Sequence, residues 1–497
     1  MILPLLFALL VPAPPLAAQD GGAVRVFLSS ELHPQDAAWF KKPWPESQWR
    51  YKLSEQAPLP LTPKDAASAL ATVNVDPGKT YQTVLGMGTS LEETSVYAMA
   101  KNHDDKQIRE ILRSLIDPAT GIGMSLFRLA FGTSDFSDGR AVSRQPQGFY
   151  SYQDDPRAAF SIENDRKLDI IRVARLAVAA AKESGQTIRF FASAWSPPGW
   201  MKDSGSLIGG KLKTDMIPAY AAYLRKAVQA YEAEGIPIYA VTTNNEHYYM
   251  PAQYPGCFFD AGQEKLLVEA LGREFRQAGL KTRIWLFDHN FDAWREPAKS
   301  LAGLKAASAQ SYAFADGVAF HHYAGQPADM TRLHERFPDK SLQFSEGSEW
   351  GVKGAAEIVE ILRNWSSSYV SWVTMATQTP EEHIQGPFDK AGKLGPLLLI
   401  KDDGAGPGWH KIPEYYLYGQ FMRFIRPGAL RIASDPGSQK TATDVAFKNP
   451  DGGIVIVAVN QNAQAQDLRF VIDGKQFTAS IPPAVVATYV LAPGSPR

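Results

Sequence analysis

Cys257 is the only cysteine in 497 residues. No intrachain disulfide can form, and neither a cysteine-based zinc site nor a lipid-attachment cysteine near the amino terminus is available. Charge of one sign is not in excess either: 51 Lys and Arg stand against 52 Asp and Glu. That balance excludes the strong field that nucleic acid or an anionic membrane would select. Beyond the opening residues no stretch is apolar enough to span a bilayer. Internal repeats and low-complexity segments are also lacking.

What is present is an ordinary globular composition, 45% hydrophobic and 21% charged, in a chain too long for one small domain. The first residues, MILPLLFALLVPAPPLAAQ, form an apolar run ending in small residues. Residues 1–18 therefore read as a secretory signal cleaved near 17–19, with an N-terminal anchor as the alternative. The expected location is secreted or periplasmic. An exported chain without disulfides must rely on its core, which this length can supply.

Residues 19–80 carry extended segments, AVRVFLSS and ALATVNVD, and no long helical period. From residue 81 the pattern becomes strand–helix alternation, which implies a parallel sheet with crossover helices. Eight strands are predicted, at 83–88, 125–131, 188–194, 237–243, 282–288, 317–323, 341–346 and 369–375. Amphipathic helices lie between them, among them 216–234, with Gly235 as its stop, and 263–278. Eight such units over residues 81–427 predict an α/β fold, a (β/α)8 TIM barrel. An open doubly wound sheet is disfavoured because TVLGMGTS (83–90) lacks the G-x-G-x-x-G spacing. Residues 428–497 are short β segments separated by turn signals, a β-sandwich pattern. The N-terminal strands are expected to join it, so that the sandwich is attached at the barrel's side and built from both ends of the chain.

Two predicted strands end in glutamate. The fourth runs through YAVTTNNEHY (239–248) to Asn245 and Glu246, and the seventh, SLQFSE, ends at Glu346. The carboxyl ends of barrel strands are where chemistry is placed. Glycosidic cleavage needs a protonated carboxyl to push a proton onto the leaving oxygen and an ionised carboxylate on the opposite face of the sugar. At a separation of about 5 Å the second attacks as a nucleophile and configuration is retained. Glu346 is expected to be the nucleophile, and Glu246 the acid that rests protonated and later serves as base. The Asn245 amide can meet the sugar 2-hydroxyl. His321 and His322 have no acidic or histidine partner at ligand spacing, so neither a metal nor another cofactor is expected.

The motifs YQTVLGMGTSLEE, FRLAFGTSDFS, FFASAWSPPGWMK, AVTTNNEH, GVAFHHY and FSEGSEW stand in this order, followed by YYLYGQFMRFIRPGALRI and DVAFKNPDGGIVIVAVNQN. In this, residues from about 81 to 491 resemble glycoside hydrolase family 30, the group of glucosylceramidases, β-1,6-glucanases and related retaining β-glycosidases. The resemblance implies a barrel with a side-by-side sandwich, net retention, and the same roles for Glu246 and Glu346. It further implies that Arg128 supports the nucleophile and that Asp135 holds hydroxyls at the far side of the sugar. Trp195 and Trp372 would line the subsite, His321 and Tyr323 would form an H-x-Y at the sixth strand, and Tyr323 would donate to the nucleophile. The implied substrate is a β-glucoside in a carbohydrate or glycolipid. Alternatives are a xylosidase- or fucosidase-type specificity, a carbohydrate-binding relative without turnover, and metal-assisted hydrolysis. Three departures bear on sugar and leaving-group preference: His247 in place of the usual proline, Leu91-Glu92-Glu93-Thr94 after the first strand, and Val373 where glucosylceramidases carry asparagine.

Overall fold

The computed structural model describes residues 22–31, 50–65, 68–143, 148–377, 396–400, 408–437 and 441–493. The expected leader at 1–18 lies outside them. Eight parallel strands form the centre of the molecule: β1 (Gly86–Ser90), β2 (Leu126–Ala130), β3 (Arg189–Ser193), β4 (Ile238–Thr242), β5 (Arg283–Asn290), β6 (Gly317–His321), β7 (Ser341–Glu346) and β8 (Ser368–Ser371). Each overlaps a predicted strand. They are hydrogen-bonded in the order β7-β6-β5-β4-β3-β2-β1-β8. The ring closes between β7 and β8 through a Leu342–Ser366 bridge and the bond from Ser367 N to Leu342 O at 2.8 Å.

Local sequence explains why the connecting segments are helical. Asp260 and Gln263 form a reciprocal capping box at the start of helix Ala261–Gln277, an arrangement worth about 1 kcal/mol. Helix Ile217–Ala233 has proline in its first turn and stops at Gly235, whose φ of +79° glycine takes without strain. Inside the barrel Leu126, Phe191, Ala240, Trp285, Ala319 and Val370 form one buried layer. That layer fills the tube below the carboxyl ends of the strands. Register shifts at 319/320 and 320/321 put His321 opposite both Asn290 and Glu346. Such irregularities re-aim side chains at barrel rims.

The second unit is a ladder of ten strands that wraps round its own core. Val24, Phe470, Phe477 and Tyr489 share that core although their strands are not all neighbours. The N-terminal strand Ala23–Ser30 pairs on one side with Ser54–Pro60 and on the other with Val485–Leu491. Both ends of the chain therefore build the sandwich, as expected. Two details differ. Thr83, expected in the first barrel strand, ends the sandwich strand Ala71–Thr83 opposite Leu430. The barrel strand starts only at Gly86, and a Cβ at Gly88 would lie 1.6 Å from the Leu126 carbonyl oxygen. The strand Lys475–Ile481 was not anticipated individually among the short β segments of 428–497; it follows the Asp473-Gly474 turn.

Candidate active site

Glu346 ends β7, but Glu246 does not end β4. It sits in a turn beyond Thr242, with φ +44°. Two backbone bonds hold that turn: Asn245 N to Ala194 O at 2.7 Å, and Glu246 N to Asp288 O at 2.9 Å. The loop after β3 and strand β5 thus clamp the residue in a left-handed conformation that costs a non-glycine residue roughly 1–2 kcal/mol. Phe287 and Asp288 share it, with φ of +78° and +54°. Carboxylate oxygens of Glu246 and Glu346 come within 4.8 Å of each other and of a ring nitrogen of His321.

Arg128, fully buried on β2, organises one side of this pair. Its Nη1 donates to Glu346, and its Nη2 donates to Asp288 Oδ2 and Asn245 Oδ1, each at 2.8 Å. Tyr323 Oη donates to the other Glu346 oxygen at 2.7 Å. Trp195 and Trp372 lie against the guanidinium, its carbon 4.8 and 5.4 Å from their ring centroids, and 5.3 Å from each other. Trp372 leads into a cis peptide bond with Val373. Asp135 is close enough that Glu346, Glu246 and Arg128 all act on its carboxyl. Burial, then the charges of the two glutamates, push it well above the usual carboxylate range. The structure thus brings every residue expected at the site to one end of the barrel.

Asp288, at the end of β5, was missed. It is buried and accepts from Arg128, from Ser193 Oγ at 2.7 Å, from Thr242 Oγ1 at 2.9 Å, from Ser345 Oγ, and from His321 Nε2 at 3.0 Å. Burial alone would raise its carboxyl. The Arg128 charge, the His321 bond and charge, and the Ser345 hydroxyl outweigh burial and hold it far below the usual range. The signal was available, since the fifth predicted strand ends in this acid. Removing one partner of a buried ionic network leaves the others without compensation, at a cost of about 3–5 kcal/mol. Asp288→Asn is expected to lower unfolding free energy by that order and to cut kcat by about 10–100-fold, measured by denaturant unfolding and steady-state kinetics. An unchanged kcat would remove Asp288 from the site's support.

His321 stands between two carboxylates. Its Nδ1 bonds Glu246 Oε1 and its Nε2 bonds Asp288 Oδ1, both at 3.0 Å. Burial would lower its pKa, but the charge of Glu346 and the bonds to Asp288 and Glu246 raise it to about 10. The reciprocal effect acts on Glu246, which was expected to rest protonated. Burial favours that, but His289, whose Nδ1 is 3.4 Å away, and His321 prevail and hold the carboxyl down at about 2. Folding brought to His321 the acidic partners that sequence spacing did not show. Both ring nitrogens of His321 are engaged by carboxylates, Nδ1 with Glu246 and Nε2 with Asp288. In a second cluster, His322, Glu349 and Glu357, both His322 nitrogens are likewise engaged, one with Glu357 and one accepting from Ser348 N.

His247 packs behind the acid. Its ring stacks on Phe259 at 4.0 Å, its Nδ1 bonds the Phe259 carbonyl at 2.8 Å, and its Nε2 meets Glu264 at 3.2 Å. It therefore anchors the turn that a proline would otherwise stiffen. Glu92, after β1, caps the helix that follows by accepting from Ser95 N. At the other end of the barrel a cavity of about 630 Å³ opens where the strands begin, but among the described residues Asp339 is the only carboxylate on its wall. Acid–base chemistry with two carboxyls belongs to the Glu246–Glu346 end.

Known proteins agree with this geometry. Residues 84–385 match the glycosyl hydrolase family 30 TIM-barrel domain, and residues 428–489 match the family's beta sandwich domain. The chain is 26% identical over 448 residues to an endo-1,6-beta-D-glucanase of Neurospora crassa, covering 86% of this chain and 89% of that protein. It is 25% identical over 431 residues to lysosomal acid glucosylceramidase of Mus musculus, covering 79% and 78%. Among solved structures, SrfJ from Salmonella typhimurium superposes with a TM-score of 0.79 at 21% identity, covering 95% of this chain and all of that one. The endo-beta1,6-glucanase BT3312 gives 0.76 at 24% identity with the same coverage. A ring of eight strands carrying two carboxylates at one end, joined to a sandwich made from both chain ends, is thus the architecture of an O-glycosyl hydrolase, and this chain belongs to glycosyl hydrolase family 30.

Proposed function

We propose that this protein is a retaining β-glycosidase that cleaves β-glucosidic bonds by double displacement, with Glu346 as nucleophile and Glu246 as acid and base. The carrying observation is the approach of their carboxylate oxygens within 4.8 Å. Retaining enzymes need carboxyls about 5–5.5 Å apart, whereas inverting ones leave room for water at about 6.5–9.5 Å. Glu346 attacks the anomeric carbon while the bond to the leaving oxygen breaks and Glu246 protonates that oxygen. Water then attacks the same carbon, gives its proton to Glu246, and the bond to Glu346 breaks. Arg128 and Tyr323 aim donors at Glu346. Asn245, its Oδ1 bound to Arg128, turns its amide hydrogens to the sugar 2-hydroxyl. Asp135 bonds a far hydroxyl, and Trp195 and Trp372 back the ring.

The ionised resting state of Glu246 gives His321 a part in this scheme. A proton moving along the 3.0 Å bond from Nδ1 to Oε1 converts an ion pair into a protonated glutamate and a neutral histidine still donating to Asp288. Sugar binding dries the site and favours that neutral pair. The stored proton survives at neutral pH because His321 holds it until the pH rises through about 10. His321→Gln removes the store, so the descending limb of kcat/KM against pH is expected to move to lower pH by at least about one unit. A profile that stays in place would exclude the store.

The overall reading is tested by following a β-glucoside reaction by proton NMR. The first-formed hemiacetal is expected to be β; α product first would overturn retention. The glucanase and glucosylceramidase relatives support β-linked glucose as the sugar. The apolar opening run supports export of the chain.

A further inference from the structure

Among the described residues four large hydrophobic side chains are exposed: Tyr249, Met250, Leu266 and Tyr323. Tyr323 serves Glu346. Tyr249 and Met250, 46% and 48% exposed, belong to the turn that carries Glu246, and Tyr249 N donates to Glu246 O at 2.8 Å. Their exposure is not that of a loose loop. His247 is pinned beneath them by Phe259 and Glu264. The loop after β3 is laced to the same segment by Leu212 N to Phe258 O at 3.1 Å, Phe258 N to Gly210 O at 2.9 Å and Gly256 N to Leu207 O at 3.1 Å. The buried Lys202 ammonium joins them further, donating to the carbonyls of Leu207, Gly209 and Gly256 at 2.6–2.7 Å. Two apolar side chains held in water by a stiff support are pre-organised to cover something apolar.

We infer that Tyr249 and Met250 form the platform for the leaving group, and that this group is a second sugar ring rather than a lipid. The inference rests on the reading of Glu246 as the acid, because the residue that protonates the leaving oxygen marks the side on which the leaving group lies. Size decides the chemistry. An aromatic side chain presents on the order of 150–250 Å², so Tyr249 about half exposed offers on the order of 100 Å², which the half-exposed Met250 beside it extends. That matches the apolar face of one pyranose. The two long chains of a ceramide present several times as much and would stay largely in water.

The test compares a β-1,6-linked glucose oligosaccharide with β-glucosyl fluoride, whose leaving group is too small to reach the platform. In Tyr249→Ala/Met250→Ala the ratio of kcat/KM on the oligosaccharide to that on the fluoride is expected to fall at least about tenfold, mainly through KM. Tyr249→Trp is expected to keep it. Melting curves check that the variants fold. An unchanged ratio, or a matching loss confined to micellar glucosylceramide, overturns the platform while leaving the glycosidase reading intact. Wild-type protein that cleaves neither glucoside overturns both.

Discussion

Glu346→Gly is expected to lose turnover by on the order of 10⁵-fold or more, as enzymes do when a nucleophile is removed, and to regain it in azide. The geometry explains both halves. The carboxylate is held by Arg128 Nη1 on one oxygen and by Tyr323 Oη on the other. Deleting it leaves a small cavity lined by a guanidinium and a phenol, which suits a linear anion. Azide then forms the bond to the anomeric carbon as the leaving-group bond breaks, with Glu246 still supplying the proton. The product is the glycosyl azide of inverted configuration, since no second displacement follows. Activity without azide, or an azide adduct of retained configuration, would move the nucleophile elsewhere.

Glu246→Ala should divide substrates by their leaving groups. General acid catalysis contributes about 10²–10⁴-fold where the leaving oxygen needs a proton, and little where it does not. A dinitrophenyl β-glucoside should therefore still glycosylate Glu346, and the slow step becomes hydrolysis of the enzyme-bound sugar, which has lost its base. KM falls as that intermediate accumulates. A natural saccharide should lose the full factor. The variant also leaves His321 without its Nδ1 acceptor, so a modest loss of stability accompanies the change. Burst kinetics on activated and unactivated substrates check this, and equal losses on both would refute the role assigned to Glu246.

The barrel was legible because its evidence is local. Each strand is a short apolar run with a terminating turn, and the helices announce their own caps, as Asp260 and Gln263 do. Glu346 was legible for the same reason, being the last residue of its strand. What stayed hidden depends on closure of the ring. Asp288 looks like any rim acid until Arg128, Ser193, Thr242, His321 and Ser345 arrive from five other strands and loops. The resting charge of Glu246 could not be read from its neighbours in sequence, because the residue that sets it, His321, is on β6. His247 was visible as a departure, but its partners Phe259 and Glu264 lie in a loop and a helix beyond it. The sandwich strand Lys475–Ile481 alternates buried and exposed from Phe477 to Ile481, but its inward face carries only Ala479 between those two, and its other residues are polar, which makes a weak strand signal.

The sandwich also sets an order on the making of the molecule. Val24 is paired with Leu491, and the strand that carries Leu491 lies between Ala23–Ser30 and Ile454–Asn460. The earliest described strand therefore stays unpaired on that side throughout synthesis of the barrel. A ribosome delivers its chain amino end first, so the barrel has every strand it needs well before the sandwich can close. The finished fold is sealed by its final stretch, and a chain interrupted anywhere before residue 485 carries an open sheet edge of the kind that recruits other chains.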